Sequence, residues 1–193
     1  MFARTDRLLL RPGWMEDAPA LAQAIGEESI VRNLARAPWP YGEADAGAFL
    51  AAARESHLPD FLIFSRTRGA PRLIGGCGIS STDDQAGLEL GYWIARPYWG
   101  LGFATEAARA VMQIARATGM RGITARHFLD NPASGKVLQK VGFRHTGIIQ
   151  PLTCPARGET APAALYEMAD ELDMPRSDTA FELYGDEAQS MAA

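Results

Sequence analysis

Cysteine is scarce in this chain, with two among 193 residues, too few for a disulfide scaffold. One of them, Cys77, falls inside an apolar, glycine-rich stretch that reads as a strand. No apolar run approaches the ~20 residues that a membrane helix needs, and the opening residues, MFARTDR, contain no apolar core of a secretory signal. These absences point to a cytoplasmic protein. Basic charge is short as well: 19 Lys and Arg stand against 23 Asp and Glu, a net charge of −4. That balance argues against nucleic acid as the main partner, because phosphate-backbone binding needs a basic face, and it mildly favours a cationic amine. His57, His127 and His145 show no ligand spacing, so no metal is expected.

What is present is centred on residues 88–106, LELGYWIARPYWGLGFATE. An apolar strand runs into a loop punctuated by Gly100 and Gly102 and then directly into a helix. Such a helix start presents unpaired N–H groups at the positive end of the helix dipole and suits phosphate. The glycines let the backbone approach an anion with no Cβ in the way, and Pro97 sets a rigid turn. Ala104, Ala107, Ala108, Val111, Met112 and Ala115 recur at spacings of three and four, which predicts an amphipathic helix over 104–118. The glycine pair alone fits a ligand-free turn equally well. A dinucleotide fingerprint is excluded because Thr105 stands where the third glycine belongs, and no Gly-Lys-Ser/Thr triplet provides a P-loop.

Around this stretch the pattern predicts a strand at 7–12, a helix from an Asp17 cap to Ile25, a shorter helical piece near Ser29, and an irregular run at 35–42. A helix at 44–56 follows, burying Phe49 and Leu50, then strands at 61–64, 73–79 and 87–94. Beyond the 104–118 helix come a strand at 122–129, a helix from Pro132 closed by Gly142, and strands at 143–149 and 163–168. Three antiparallel strands followed by strand–helix–strand predict a mixed α/β sheet of about seven strands, with 122–129 parallel to 87–94. Residues 1–170 are expected to form one domain. Residues 171–193 read as an acidic tail, partly ordered at best, in which Phe181, Leu183 and Tyr184 suit one docked helical turn.

Glu89-Leu-Gly-Tyr-Trp-Ile and Pro97-Tyr-Trp-Gly-Leu-Gly-Phe-Ala-Thr-Glu106 together resemble the acetyl-CoA-binding motif of the GNAT N-acetyltransferase superfamily, in its RimJ/RimL-like branch. Thr5-Asp-Arg-Leu-Leu-Leu-Arg-Pro12 is similar to that branch's opening strand. The run from Asn131-Pro-Ala-Ser134 to Lys140-Val-Gly-Phe143 is similar to its second CoA-side motif. One departure is Pro97, where many members carry Gln or Arg; it leaves the pyrophosphate to backbone groups and Arg96. The resemblance spans about residues 4–170 and implies the GNAT fold, mostly antiparallel, with its central parallel pair splayed to admit acetyl-CoA. It implies that the pantetheine arm pairs with backbone groups of Trp93, Ile94 and Ala95 as an added strand would. The pyrophosphate would lie on Gly100, Leu101, Gly102, Phe103, Ala104 and Thr105, and Asn131 would orient a pantetheine amide or cap its helix. Members often dimerise through late strands, so a homodimer is compatible with it.

Acetyl transfer from a thioester to an amine needs a neutral amine, a stabilised carbonyl oxygen and a proton for the leaving thiolate. Glu89 is the candidate base, acting through a water, with a solvated strand carboxylate as the alternative. On a strictly alternating strand it shares its face with Gly91 and Trp93. Backbone N–H near Trp93 or Ile94 would hold the oxyanion. Ser134 matches the position where the family places a hydroxyl near the CoA sulfur, and helix capping is its alternative. No acyl-enzyme is needed, Cys77 reading as buried and Cys154 as a loop residue. The Trp39-Pro40-Tyr41 loop lines the acceptor pocket or staples the next helix. The acceptor itself depends on the irregular runs 30–42 and 150–162. A protein N-terminal amine is the first expectation and a small amine (antibiotic, polyamine or amino acid) the second. The alternative outside catalysis is a non-catalytic acyl-CoA-binding module.

Overall fold

Strand 61–64 has no polar face: Phe61 and Ile63 turn to one side, Leu62 and Phe64 to the other, and all four are buried. Such a strand has to lie mid-sheet with layers on both sides. The computed structural model, which describes residues 1–55, 57–67, 69–82, 87–168 and 182–184, puts it there. The elements are β1 (Phe2–Arg4), β2 (Leu8–Arg11), α1 (Ala18–Ile25), α2 (Glu28–Val31), α3 (Glu43–Glu55), β3 (Asp60–Ser65), β4 (Arg72–Ser81) and β5 (Leu88–Ile94). They continue through α4 (Phe103–Ala117), β6 (Ile123–Phe128), α5 (Pro132–Val141), β7 (Phe143–Cys154), β8 (Glu159–Met168) and β9 (Glu182–Tyr184). The sheet order is β7-β8-β6-β5-β4-β3-β2-β1-β9. Among the described strands only β5 and β6 pair in parallel.

Phe61, Ile63, Leu8, Leu10 and Ile74 pack with Ala107, Val111 and Ile114 of α4, on the face that α4 and α5 cover. Leu62 and Phe64 pack with Leu21 of α1 and Ala46 and Leu50 of α3 on the opposite face. No helix of the described residues is long and apolar enough to cross a membrane.

The mixed sheet and its parallel pair stand as predicted, and several details differ. Among the described residues the sheet has nine strands, against the expected seven or so. β1 is too short for a periodic signal. β9 replaces the expected helical turn at Leu183 and Tyr184, because pairing of Glu182–Tyr184 with Phe2–Arg4 satisfies an open sheet edge. Phe181 and the rest of the tail lie outside the described residues, as do residues 83–86 before β5.

Residues 150–162, expected to be irregular, are mostly a hairpin in which Pro151 faces Pro162. An edge strand such as β7 accommodates proline, and Pro162 contributes its carbonyl to the Leu129 N–H at 3.0 Å. β8 lies between β6 and β7. Phe49 is 41% exposed while Leu50 is fully buried, so α3 turns only one of the pair inward. Asp17 does not cap α1 with its side chain. Its carboxylate instead accepts the Arg11 fork, at 2.7 Å twice, and the Trp14 N–H at 2.8 Å.

Candidate active site

The site begins with an asymmetry in β5. Its pairing with β4 runs from Leu88↔Ser81 to Ile94↔Gly75 without a break. Its pairing with β6 consists of Leu88↔Ile123 and Glu89↔Thr124 alone. The Ala95 N–H bonds Ile74 O at 2.8 Å, so odd-numbered residues turn their backbone polar groups toward β4. Leu88 O takes the Thr124 hydroxyl at 3.1 Å on the β6 side. By alternation the Leu90 N–H closes the Glu89↔Thr124 bridge on Thr124 O, and the Leu90 carbonyl and the backbone groups of Tyr92 and Ile94 face a gap where β6 has already diverged.

This sorts the three residues expected to pair with pantetheine. Ile94 faces the gap. Trp93 turns its polar groups to β4, and both backbone groups of Ala95 are engaged, its carbonyl by the Tyr98 N–H at 2.9 Å. Beneath Trp93, Gly76 leaves the space its indole occupies: a Cβ there would lie 2.6 Å from the indole nitrogen. At the gap's mouth the Trp99 indole N–H donates to Ile94 O at 2.6 Å.

The loop then builds an anion cradle. A 3-10 turn at Arg96–Tyr98 leads to Gly100 (φ 75) and Gly102 (φ 83), both left-handed, and Gly102 is the N-cap of α4 with no side-chain cap. The first intrahelical bond comes from Glu106 N to Gly102 O at 3.1 Å. The N–H groups of Phe103, Ala104 and Thr105 are thus the helix's orphan donors, at the positive end of a 15-residue dipole.

The cradle is held from outside by residues whose side-chain roles sequence reasoning missed. Glu106 accepts from the Thr5 hydroxyl at 2.6 Å, the Arg7 N–H at 3.1 Å and Arg7 Nε at 2.7 Å. Arg7 also donates to Leu101 O at 3.0 Å and lies 4.5 Å over the Phe103 ring. All three residues belonged to the motif runs, but their partnership needs the register of β2 against α4.

Glu89 sits at the last paired position before the gap. Both its oxygens are taken by Arg126 of β6, Nε at 2.9 Å and Nη2 at 2.6 Å, with the two side chains 16% and 14% exposed. The fork fixes the carboxylate's orientation and leaves a second lone pair on each oxygen for a water. Ser134 is not a cap. The α5 N-cap is Asn131, which makes no side-chain cap bond, and Ser134 Oγ instead lies 2.8 Å from the Tyr92 hydroxyl. That hydroxyl also donates to Ser134 O at 2.9 Å.

Across the mouth stands a cleft of about 400 Å³ between Trp99, Asp130 and Asn131 on one side and Ser29, Arg32 and Asn33 on the other. Both walls are fastened to the β7–β8 hairpin. Arg157 grips Asp130 with two bonds of 2.9 Å and donates to Arg32 O at 2.7 Å. The Arg157 bond, outweighing burial, holds the Asp130 carboxyl below the usual range. Cys154, expected in a loop, ends β7 fully buried, with its thiol toward the carbonyls of Arg32 and Leu34. Burial pushes the Cys77 thiol far up. Neither cysteine suits a nucleophile. Tyr41 packs into the α1–α3 layer, the stapling role, while Trp39 is 42% exposed. Among the described residues no group of three or more His, Cys, Asp or Glu could hold a metal.

A larger hollow of about 800 Å³, lined by Trp14, His57, Asp60 and Thr118, lies at the other end of α4 from the gap's mouth. Burial raises the Asp60 carboxyl to about 6.

Residues 7–144 match the family described as Acetyltransferase (GNAT) domain. The chain is 26% identical over 152 residues to the uncharacterized N-acetyltransferase p20 of Bacillus licheniformis, covering 76% of this chain and 84% of that one. Among solved structures, ribosomal-protein-S5-alanine acetyltransferase from Vibrio fischeri superposes with a TM-score of 0.73 over 91% of this chain and 100% of that chain, at 17% identity. RimL, a ribosomal L7/L12 alpha-N-protein acetyltransferase solved with coenzyme A, gives 0.68 over 84% and 94%, at 19% identity. At such identities the structural likeness speaks for the fold.

Proposed function

The chain belongs to the Acetyltransferase (GNAT) domain family and is an acyltransferase, and from that premise we propose that it moves an acetyl group from acetyl-CoA directly to a primary amine, the α-amine of a protein N-terminus. The observation that carries this reading is the β5 edge left unpaired beyond Glu89 and leading into three orphan N–H groups at the start of α4. The residues present fit acetyl-CoA: an extended amide-bearing arm can add to the edge at the Leu90 carbonyl, Tyr92 and Ile94, and a pyrophosphate suits the turn from Gly100 to Thr105. Asn131, with its side chain not spent on a cap, stands at the mouth for a pantetheine amide. Residues 1–170 act as a single domain in this proposal. A cytoplasmic setting accords with the two free cysteines.

Glu89 and Ser134 keep their proposed roles, with one refinement. An α-amine of pKa about 7.7–8.0 is about a tenth neutral at pH 7, whereas lysine at about 10.4 is almost wholly charged. The N-terminal amine thus asks less of any base than lysine does, which favours it as the acceptor. Two fold neighbours are themselves named as ribosomal-protein acetyltransferases, which points the same way.

The test is CoA release from acetyl-CoA against a panel of N-terminal peptides and small amines, beside a calorimetric titration of acetyl-CoA. Turnover with peptides is the expected outcome. Turnover with small amines alone would replace the acceptor, and tight binding with no turnover on any amine would favour a binding module.

A further inference from the structure

The contact between Tyr92 and Ser134 joins β5 to α5 across the head of the gap, and its proton count is informative. The phenol oxygen lies 2.9 Å from Ser134 O and 2.8 Å from Ser134 Oγ. A phenol has one proton to give, and a carbonyl has none. When Tyr92 donates to the carbonyl, its contact with Oγ is a hydrogen bond only if the serine gives its own proton to the phenol. When Tyr92 donates to Oγ, the serine proton is free to point elsewhere.

We propose that Tyr92 is a positioning residue for acetyl transfer: its hydroxyl fixes the Ser134 side chain and, by turning its proton from the Ser134 carbonyl to Ser134 Oγ, releases the serine proton toward the departing sulfur. This rests on the acetyl-transfer reading and on the place of Ser134 in it.

The balance closes without a co-reactant. The amine nitrogen bonds to the acetyl carbon, and the carbon–sulfur bond breaks with its electron pair on sulfur. Nitrogen loses one proton and sulfur gains one. Ser134 supplies the sulfur's proton and is restored by the proton that left nitrogen, passed through water. Tyr92 keeps its own proton throughout. Burial pushes its phenol well above the ordinary tyrosine range, the Ser134 hydrogen bond offsetting only part, so it acts as a donor and never as a phenolate. A donor aimed at Oγ also favours the partial negative charge that develops there as the proton leaves. The Tyr92 ring packs against the buried core on the α4–α5 face, so removing the hydroxyl alone leaves that packing in place.

The experiment measures kcat and the acetyl-CoA KM for the full chain and for Y92F, S134A and Y92F/S134A, with the panel peptide that turns over and with acetyl-CoA in water alone. Y92F is expected to lower kcat about three- to tenfold, the worth of one such hydrogen bond, with KM within about twofold. In the S134A background the same change should cost less than about twofold, because a residue acting through Ser134 has nothing left to act on. Fluorotyrosine at position 92, which keeps the hydroxyl, should retain the native kcat. An unchanged kcat in Y92F, or an equal loss with and without Ser134, would overturn the proposal while leaving acetyl transfer intact. Full activity of S134A would remove the Ser134 role first and Tyr92 with it.

Discussion

One strand, β5, has two unlike edges. On the β4 side it is zipped along seven register positions, from Leu88 to Ile94. On the β6 side the ladder stops after two, Leu88 and Glu89. The closed edge gives the sheet its continuity. The open edge exposes backbone groups that a globular interior normally pairs, and it does so where a helix start adds three more unpaired N–H groups. In this chain the candidate site arises from pairing withheld. The side chains around it act mainly as struts: Arg7 and Thr5 on Glu106, Arg126 on Glu89, Tyr92 on Ser134, Arg157 on Asp130.

The contrast can be broken most sharply where chemistry depends on the open side. Ser134→Ala removes the proposed proton donor and is expected to lower kcat about 100-fold, the low end for general acid catalysis, with acetyl-CoA affinity kept in calorimetry. Gly102→Val forces a β-branched residue into φ 83 and disturbs the cradle's N–H groups; affinity should fall about 30-fold or more, since charge-assisted bonds are worth about 1.5–3 kcal/mol each.

The closed end offers a counter-test through Asp60, at the start of β3. Its carboxyl is raised to about 6, above the ordinary ~3.9. Ionisation therefore costs the folded state. The stability this group contributes is complete below pH ~4 and is lost as pH rises through about 6. Asp60→Asn should flatten the unfolding free energy between pH 4 and 6 and add about 3 kcal/mol at pH 7, with turnover unchanged, measured by denaturant titration across that range. The smallest effect is expected at the last paired position. Glu89→Gln should lower kcat about tenfold, less than the usual worth of a general base because an N-terminal amine is already partly neutral at pH 7, with acetyl-CoA affinity within about twofold, and an unaltered kcat would reduce Glu89 to a strut for Arg126.

How much of this was legible in the sequence follows from how local each feature is. The strand, the glycine loop and α4 were readable within 20 residues, because left-handed glycines and a 3.6-residue period declare themselves locally. The parallel pairing of β5 with β6 followed from the single helix between them. Alternation placed Glu89 on the face of Trp93. It could not supply Arg126, 37 positions away, because that pairing needs the register of β6. The Tyr92–Ser134 and Arg7–Glu106 contacts, separated by 42 and 99 positions, were hidden for the same reason. Ser134 resembled a cap because it stands near a helix start, but Asn131 occupies the N-cap. The 150–162 run was misread from its prolines and glycine, which an edge hairpin accommodates.

The most direct test of the open edge is amide hydrogen exchange with and without acetyl-CoA. The account predicts new protection at Ile94, at the other gap-facing amides of β5, and at Phe103, Ala104 and Thr105, with little change along β3. Protection absent from both the β5 edge and the α4 start, or confined to the hollow beside Asp60, would contradict it.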